Sequence, residues 1–139
     1  MQSPSPRVLC TEDDRDTREL LNVILTSHGF EVISPTTSNE ALELIKTQTF
    51  DLVLVDNWMP DLSGTELTKR IREFDTETPI LFCSGAAYER DKEAARLAGA
   101  QGYLVKPVEV DYLLAEVSRI IAESKRDYIL RAAMARSAA

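Results

Sequence analysis

Apolar and polar positions along the chain follow two different periods. Short, almost wholly apolar runs occur at Arg7-Val8-Leu9-Cys10-Thr11, Phe30 to Ser34, Leu52-Val53-Leu54-Val55, Pro79-Ile80-Leu81-Phe82-Cys83 and Gly102-Tyr103-Leu104-Val105. Runs this short, rich in β-formers and without a polar face, predict strands buried on both sides. Between them the apolar residues recur at helical spacing. Leu20, Leu21, Ile24 and Leu25 form one face of a helix that Asp14 or Asp16 can cap, running through Ser27 and stopped at Gly29. Ser38 is the predicted cap of a helix through Lys46, with Ala41, Leu42, Leu44 and Ile45 inward. Ser63 followed three residues later by Glu66 is a capping box, starting a helix to about Phe74 with Leu67, Ile71 and Phe74 on its core stripe. An Ala-rich helix covers Tyr88 to Leu97 and closes at Gly99. The last runs from roughly Glu109 to Ala122, burying Leu113, Leu114, Val117, Ile120 and Ile121. Five strands alternating with five helices predict an α/β domain whose single parallel sheet is covered on both faces.

The flanks carry less pattern. Residues 1–6, MQSPSP, read as a disordered lead-in, so the domain spans 7–122. Residues 123–139, ESKRDYILRAAMARSAA, favour helix through their Ala, Arg and Leu content. They either continue the fifth helix, with Tyr128, Ile129, Leu130 and Met134 as an apolar side for docking, or form a fraying tail.

Composition narrows the function classes. A length of 139 residues suits one domain with a proper core. The net charge of −7, with no basic cluster, disfavours direct binding to nucleic acid or anionic lipid. No apolar run reaches membrane-spanning length and no signal-peptide pattern opens the chain, so a cytoplasmic location is expected. Cys10 and Cys83 fall inside strand-like runs and read as buried core residues. His28, the one histidine, sits near a helix C-terminus with no ligand cluster about it.

The chemistry lies at the strand ends. Glu12-Asp13-Asp14 follows the first strand, Asp56 ends the third, Ser84 ends the fourth and Lys106 follows the fifth. A parallel sheet gathers all of these at one rim. Clustered carboxylates repel, so they raise their pKa values or share a cation. An all-oxygen donor set of this kind suits Mg²⁺. Asp56 can then act as a carboxylate nucleophile on a phosphoryl group. A divalent ion and the Lys106 ammonium would neutralise the equatorial oxygens, and the Ser84 hydroxyl would donate a further hydrogen bond.

These residues together resemble a family. Glu12-Asp13, Asp56 in a D-x-x-M-P-x-x-x-G context, Ser84-Gly85, and Lys106-Pro107 with Tyr103 three residues earlier are similar to the receiver domain of two-component response regulators, of the chemotaxis-regulator kind, over roughly Arg7 to Ala122. The resemblance implies the doubly wound, flavodoxin-like fold with strand order 2-1-3-4-5. It implies that Asp56 accepts a phosphoryl group from a sensor histidine kinase or a histidine phosphotransfer protein, the domain catalysing its own phosphorylation and slow dephosphorylation without being an enzyme in the ordinary sense. It further implies Mg²⁺ held by Asp13, Asp56 and the backbone carbonyl of Trp58, with Glu12 acting through water. Ser84 and Tyr103 would be a switch pair, and the Lys106-Pro107 peptide would be cis. The output would pass through the face of helix four, strand five and helix five, to a downstream protein or a second copy in a homodimer.

Two residues depart from the commonest pattern. Glu12 replaces an aspartate, and Trp58 is bulkier than usual two places after the acceptor. In the family, the side chains two positions after the acceptor and two after the switch hydroxyl flank the path of the hydrolytic water. Here they are Trp58 and Ala86, neither of which offers a carboxylate or amide to orient the water, and the indole is large enough to obstruct it, so slow dephosphorylation is expected. A flavodoxin-like cofactor carrier is disfavoured because Glu12-Asp13-Asp14 would repel a phosphate. An aspartyl-phosphate phosphatase lacks its second Asp, since Trp58 stands there. A pseudo-receiver, binding partners without phosphorylation, usually loses the acid pair, acceptor or lysine, and all are present. No output module follows Ala122, so the expectation is a lone receiver domain or one excised from a longer regulator.

Overall fold

Strands β1 (Arg7–Thr11), β3 (Leu52–Val55) and β4 (Ile80–Ser84) are buried along their length except at half-buried Arg7. That is what their unbroken apolar character requires. The computed structural model describes residues 4–138. It places β2 (Glu31–Ile33) and β5 (Gly102–Val105), both less buried, at the edges of a sheet ordered β2-β1-β3-β4-β5. Every pairing is parallel. Thr11 pairs with Val55, and Ser84 with Val105, so these strands end level with one another.

Alternation along the strands sends residues to opposite faces. Val8, Cys10, Leu52, Leu54 and Leu81 pack on Leu21 and Leu25 of α1 (Arg15–Ser27) and on Leu113, Val117 and Ile120 of α5 (Val110–Ala138). Leu9, Val53, Val55, Ile80 and Phe82 face the other way. They meet α2 (Ser38–Thr47), α3 (Gly64–Arg72) and α4 (Glu89–Ala98) through Ala41, Ile45, Leu67, Ile71 and Ala95. Each such fully buried aliphatic stabilises the fold by about 1.5–3 kcal/mol. The doubly wound sheet in the order 2-1-3-4-5 is therefore present.

Several local expectations are corrected. Thr37, not Ser38, caps α2: it is extended (φ −133°, ψ 157°) and its side chain accepts from the Glu40 amide, whereas Ser38 is the first helical residue. Of the two aspartates offered for α1, Asp14 is the cap, its Oδ2 accepting from the Thr17 amide at 2.9 Å and hydroxyl at 2.7 Å. Leu20 is exposed, because Leu21, Leu25 and half-buried Ile24 define the stripe and Leu20 falls beside it. Phe74 is also exposed, since α3 ends at Arg72 and carries it past the last turn. Strand β4 begins one residue later than expected; Pro79 has no amide to pair, though its carbonyl accepts from Val53 N at 2.9 Å. Of the lead-in expected over 1–6, residues 1–3 lie outside the described residues. Pro6 is tied to the sheet, its carbonyl accepting from Glu31 N at 2.9 Å.

With neither Gly nor Pro after Val110 to stop it, α5 continues past the core as one helix, leaving Tyr128, Ile129, Leu130 and Met134 exposed. Arg131 Nη2 meets Glu77 Oε2 at 2.6 Å beside it, an exposed pair of small energetic weight. No described helix is long and apolar enough to cross a membrane.

Candidate functional site

Because all strands are parallel, the residues that follow them collect at one rim. Asp56 and Glu12 are both buried there, 5% and 2% exposed, which for carboxylates demands a partner. Lys106, arriving from the far side of the sheet, supplies it. Its Nζ donates to Glu12 Oε2 at 2.6 Å and to Asp56 Oδ2 at 3.1 Å. Asp56 is further located by its own amide, which donates to Thr11 O at 3.1 Å, and by the Trp58 amide, which donates to its Oδ1 at 3.2 Å. Three expected site residues, separated by up to 94 positions in the chain, thus form one cluster.

The charges in this cluster are strongly coupled. Burial, reinforced by the neighbouring Asp56 carboxylate, pushes Glu12 above the ordinary carboxylate range, although Lys106 pulls it down. Burial pulls the Lys106 ammonium down, but the bonds and charges of Glu12 and Asp56 outweigh it and hold its pKa above the usual value. A raised carboxyl pKa means the folded state holds this proton more tightly than the unfolded chain. Its contribution to stability is therefore fully present below the ordinary value of 4.5 and is lost as pH rises through the folded pKa. Holding Glu12 ionised therefore costs the fold more as pH rises above that ordinary value. Glu12→Gln is expected to raise the melting temperature at pH 7, with the gain shrinking toward pH 4. Calorimetry across that range checks this; a gain that does not vary with pH would place its origin elsewhere.

Asp13 is exposed, and among the described residues no three acidic, His or Cys side chains converge on a metal-sized space. The turn that carries Asp13 is held by Arg18, whose Nη1 donates to the carbonyls of Glu12 (3.0 Å) and Asp13 (3.3 Å). Glu12 and Asp56 share one ammonium, Asp13 lies on the adjoining turn, and every donor these residues offer is oxygen. This set fits a hard divalent cation.

The remaining expected residues line the other side. Ser84 is fully buried and its Oγ accepts from Ala86 N at 3.2 Å, while the Tyr103 hydroxyl donates to Ala86 O at 2.5 Å. Ser84 and Tyr103 are thus joined through one residue, with Tyr103 stacked on Phe82 at 5.5 Å between centroids. Trp58 is 62% exposed, but the edge of its indole lies against Gly85, where an added Cβ would stand 3.1 Å from Cζ3. The ring therefore reaches from the β3–α3 loop to the β4–α4 loop. The close return of the β3–α3 loop needs Gly64, at which a Cβ would fall 2.8 Å from Asp56 O and 2.6 Å from Val55 Cγ1. The Lys106-Pro107 peptide is cis. Arg18, Asn57 and Asp61 were not singled out by sequence as site residues; an Asp directly after Pro60 reads only as a turn residue.

Comparisons with known proteins agree with this fold. The family model for the response regulator receiver domain matches residues 8–118. The chain is 36% identical over 126 residues to the transcriptional regulatory protein DltR of Streptococcus agalactiae, covering 91% of this chain and 55% of that protein. It is 33% identical over 119 residues to the cell cycle transcriptional regulator CtrA of Caulobacter vibrioides, covering 86% and 52% respectively. The chain thus spans about half the length of these curated relatives. Among solved structures, a CheY-like response regulator receiver domain from Methanospirillum hungatei superposes with a TM-score of 0.85 at 28% identity, over 88% of this chain and 98% of that one. The receiver domain of the sensor histidine kinase PA1611 from Pseudomonas aeruginosa, with a magnesium ion coordinated in its active site cleft, superposes with a TM-score of 0.80 at 27% identity, over 85% and 98%.

Proposed function

This chain belongs to the response regulator receiver domains, and from that premise we propose that Asp56 takes a phosphoryl group from a phosphohistidine, on a sensor histidine kinase or a histidine phosphotransfer protein. The observation that carries the reading is the buried Asp56 carboxylate at the sheet rim with the Lys106 ammonium 3.1 Å away. A carboxylate oxygen of Asp56 attacks phosphorus, the phosphorus–nitrogen bond breaks, and the imidazole keeps the electron pair and takes up a proton. Lys106 neutralises charge on the moving phosphoryl oxygens. Asp13, Asp56 and the Trp58 carbonyl would hold Mg²⁺, with Glu12 acting through water. The ion would supply further charge neutralisation on the same oxygens. The acid pair, the acceptor and the lysine share one rim, which favours this reading over a phosphorylation-independent binding module.

The test is direct. With Mg²⁺ and acetyl phosphate, the protein is expected to gain one acid-stable, base-labile phosphoryl group, read by intact mass. No incorporation under those conditions refutes the reading.

The output follows from the Ser84–Ala86–Tyr103 link. A phosphoryl oxygen that draws the Ser84 hydroxyl toward itself removes the acceptor of the Ala86 amide, and Ala86 also holds Tyr103. Tyr103 then shifts, and the face of α4, β5 and α5, which carries exposed Tyr112, changes shape for a protein partner or a second copy. The bias must come from tighter phosphoryl contacts in one state than in the other.

The lifetime of the phosphorylated state turns on Trp58. Hydrolysis needs a water in line with the bond to be broken. The indole, leaning across onto Gly85, is placed to flank that approach and offers no carboxylate or amide to orient the water. Trp58→Asn is expected to shorten the phosphoryl lifetime by roughly tenfold, about 1.4 kcal/mol off the barrier. An equal or longer lifetime at the same Mg²⁺ concentration would sink the shielding argument.

A further inference from the structure

The first four amides of a helix have no intrahelical acceptor. In α2 the amides of the first three helical residues are all satisfied, two of them from elsewhere in the chain. Thr37 Oγ1 accepts from Glu40 N at 3.1 Å, and its carbonyl accepts the first helical bond, from Ala41 N, at 3.1 Å. Asp61 supplies the rest, with Oδ1 accepting from Ser38 N at 2.9 Å and Oδ2 from Asn39 N at 2.8 Å. The contact is reciprocal, since the fully buried Ser38 donates its hydroxyl to Leu62 O at 2.8 Å. Asp61 and Leu62 lie on the loop that begins at Asp56, beyond Trp58. At its neck the same loop is closed by Gly64 N donating to Asn57 O at 3.0 Å and by Thr65 on Asn57 Oδ1.

We propose that Asp61 is a positioning residue for the site. By completing the α2 cap from across the loop, it fixes the segment Trp58–Pro60, and with it the Trp58 carbonyl and indole. The role at the metal rests on the reading given under Proposed function; the role in fixing the loop does not. The physical basis is charge and geometry together. A carboxylate presents two acceptors to two adjacent amides at a helix N-terminus, where negative charge is favoured. Alanine presents none. Asparagine presents one, and turns a donor toward the other amide. The three residues between Asn57 and Asp61 have little slack once both of those are tied down.

A purely structural cap would affect stability alone, and Thr37→Ala provides that comparison, since it uncaps the same helix without touching the loop. Both Asp61→Ala and Thr37→Ala are expected to lower the melting temperature. Only Asp61→Ala should speed amide hydrogen exchange at Asn57, Trp58 and Met59 in the metal-free full chain. Only Asp61→Ala should weaken Mg²⁺ binding, by roughly tenfold, the lower end of the range for groups that orient metal ligands. Mg²⁺ affinity is read from Trp58 fluorescence, with Asp13→Asn as the reference for a lost site. Unchanged exchange at 57–59 in Asp61→Ala, or equal effects in Thr37→Ala, overturns the positioning role. If the wild-type protein shows no Mg²⁺ response at all, the metal reading fails while the exchange comparison still decides the role of Asp61. Should Asp61→Ala not fold, Ser38→Ala removes the return bond to Leu62 and is read by the same exchange at 57–59, with faster exchange expected and none overturning the latch.

Discussion

Asp56→Asn is expected to abolish phosphoryl incorporation from acetyl phosphate. An amide is a far weaker nucleophile than a carboxylate, and the substitution leaves the size of the side chain unchanged. The neighbourhood makes the result specific. Glu12 is as buried as Asp56 and bonds the same Lys106 Nζ, so it is the alternative carboxylate acceptor within reach. Glu12→Gln should keep its label while Asp56→Asn loses it. The fold should survive, because removing one of two neighbouring buried carboxylates relieves repulsion and lets Glu12 fall back toward the ordinary carboxylate range. Intact mass before and after base treatment reads the outcome. Undiminished labelling in Asp56→Asn refutes the acceptor, and a base-stable label would point to a hydroxyl.

Lys106→Met should slow phosphoryl transfer to Asp56 by about 10²–10³-fold, or about 3–4 kcal/mol of barrier, the usual effect of losing one preorganised charge or donor aimed at the transition state. Methionine keeps much of the unbranched stem and removes only the ammonium. Glu12 then loses the cation 2.6 Å away and its pKa should climb further, since burial and Asp56 remain unopposed. Mg²⁺ binding should hold or tighten, because the site becomes more negative. That separates a lost transition-state charge from a disrupted metal site. Stopped-flow labelling with a phosphodonor, alongside a Mg²⁺ titration, supplies both numbers. A fall in rate of less than about tenfold would remove Lys106 from the chemistry.

Much of this molecule was legible from its pattern of apolar positions. The runs at Leu52–Val55 and Ile80–Cys83 announced strands with no solvent face, and each is wholly buried. The strand ends named Glu12, Asp56, Ser84 and Lys106, because parallel strands must all open on the same side. Periodicity reports burial, which acts on every residue of an element in the same way, so it can be read without knowing what the element packs against. It failed at the margins of the stripes, where Leu20 and Phe74 lie one step outside the core and are exposed.

What tertiary structure alone decided are the contacts that depend on where loops come to rest. By sequence Arg72 is one of three basic residues in the last turn of α3. In the fold its guanidinium donates to the carbonyls of Gly99, Asp75 and Thr78 and to Gln101 Oε1, joining α3 to the end of α4. Asp61 looked like a turn residue and caps a helix that begins 23 positions earlier. Ser84 and Tyr103 meet at Ala86, whose side chain takes no part. These are single directional bonds, mostly to backbone groups, and backbone groups are identical at every position of a sequence. A hydrogen bond needs its partners within a few tenths of an ångström of the right place. Only the packed chain brings them there.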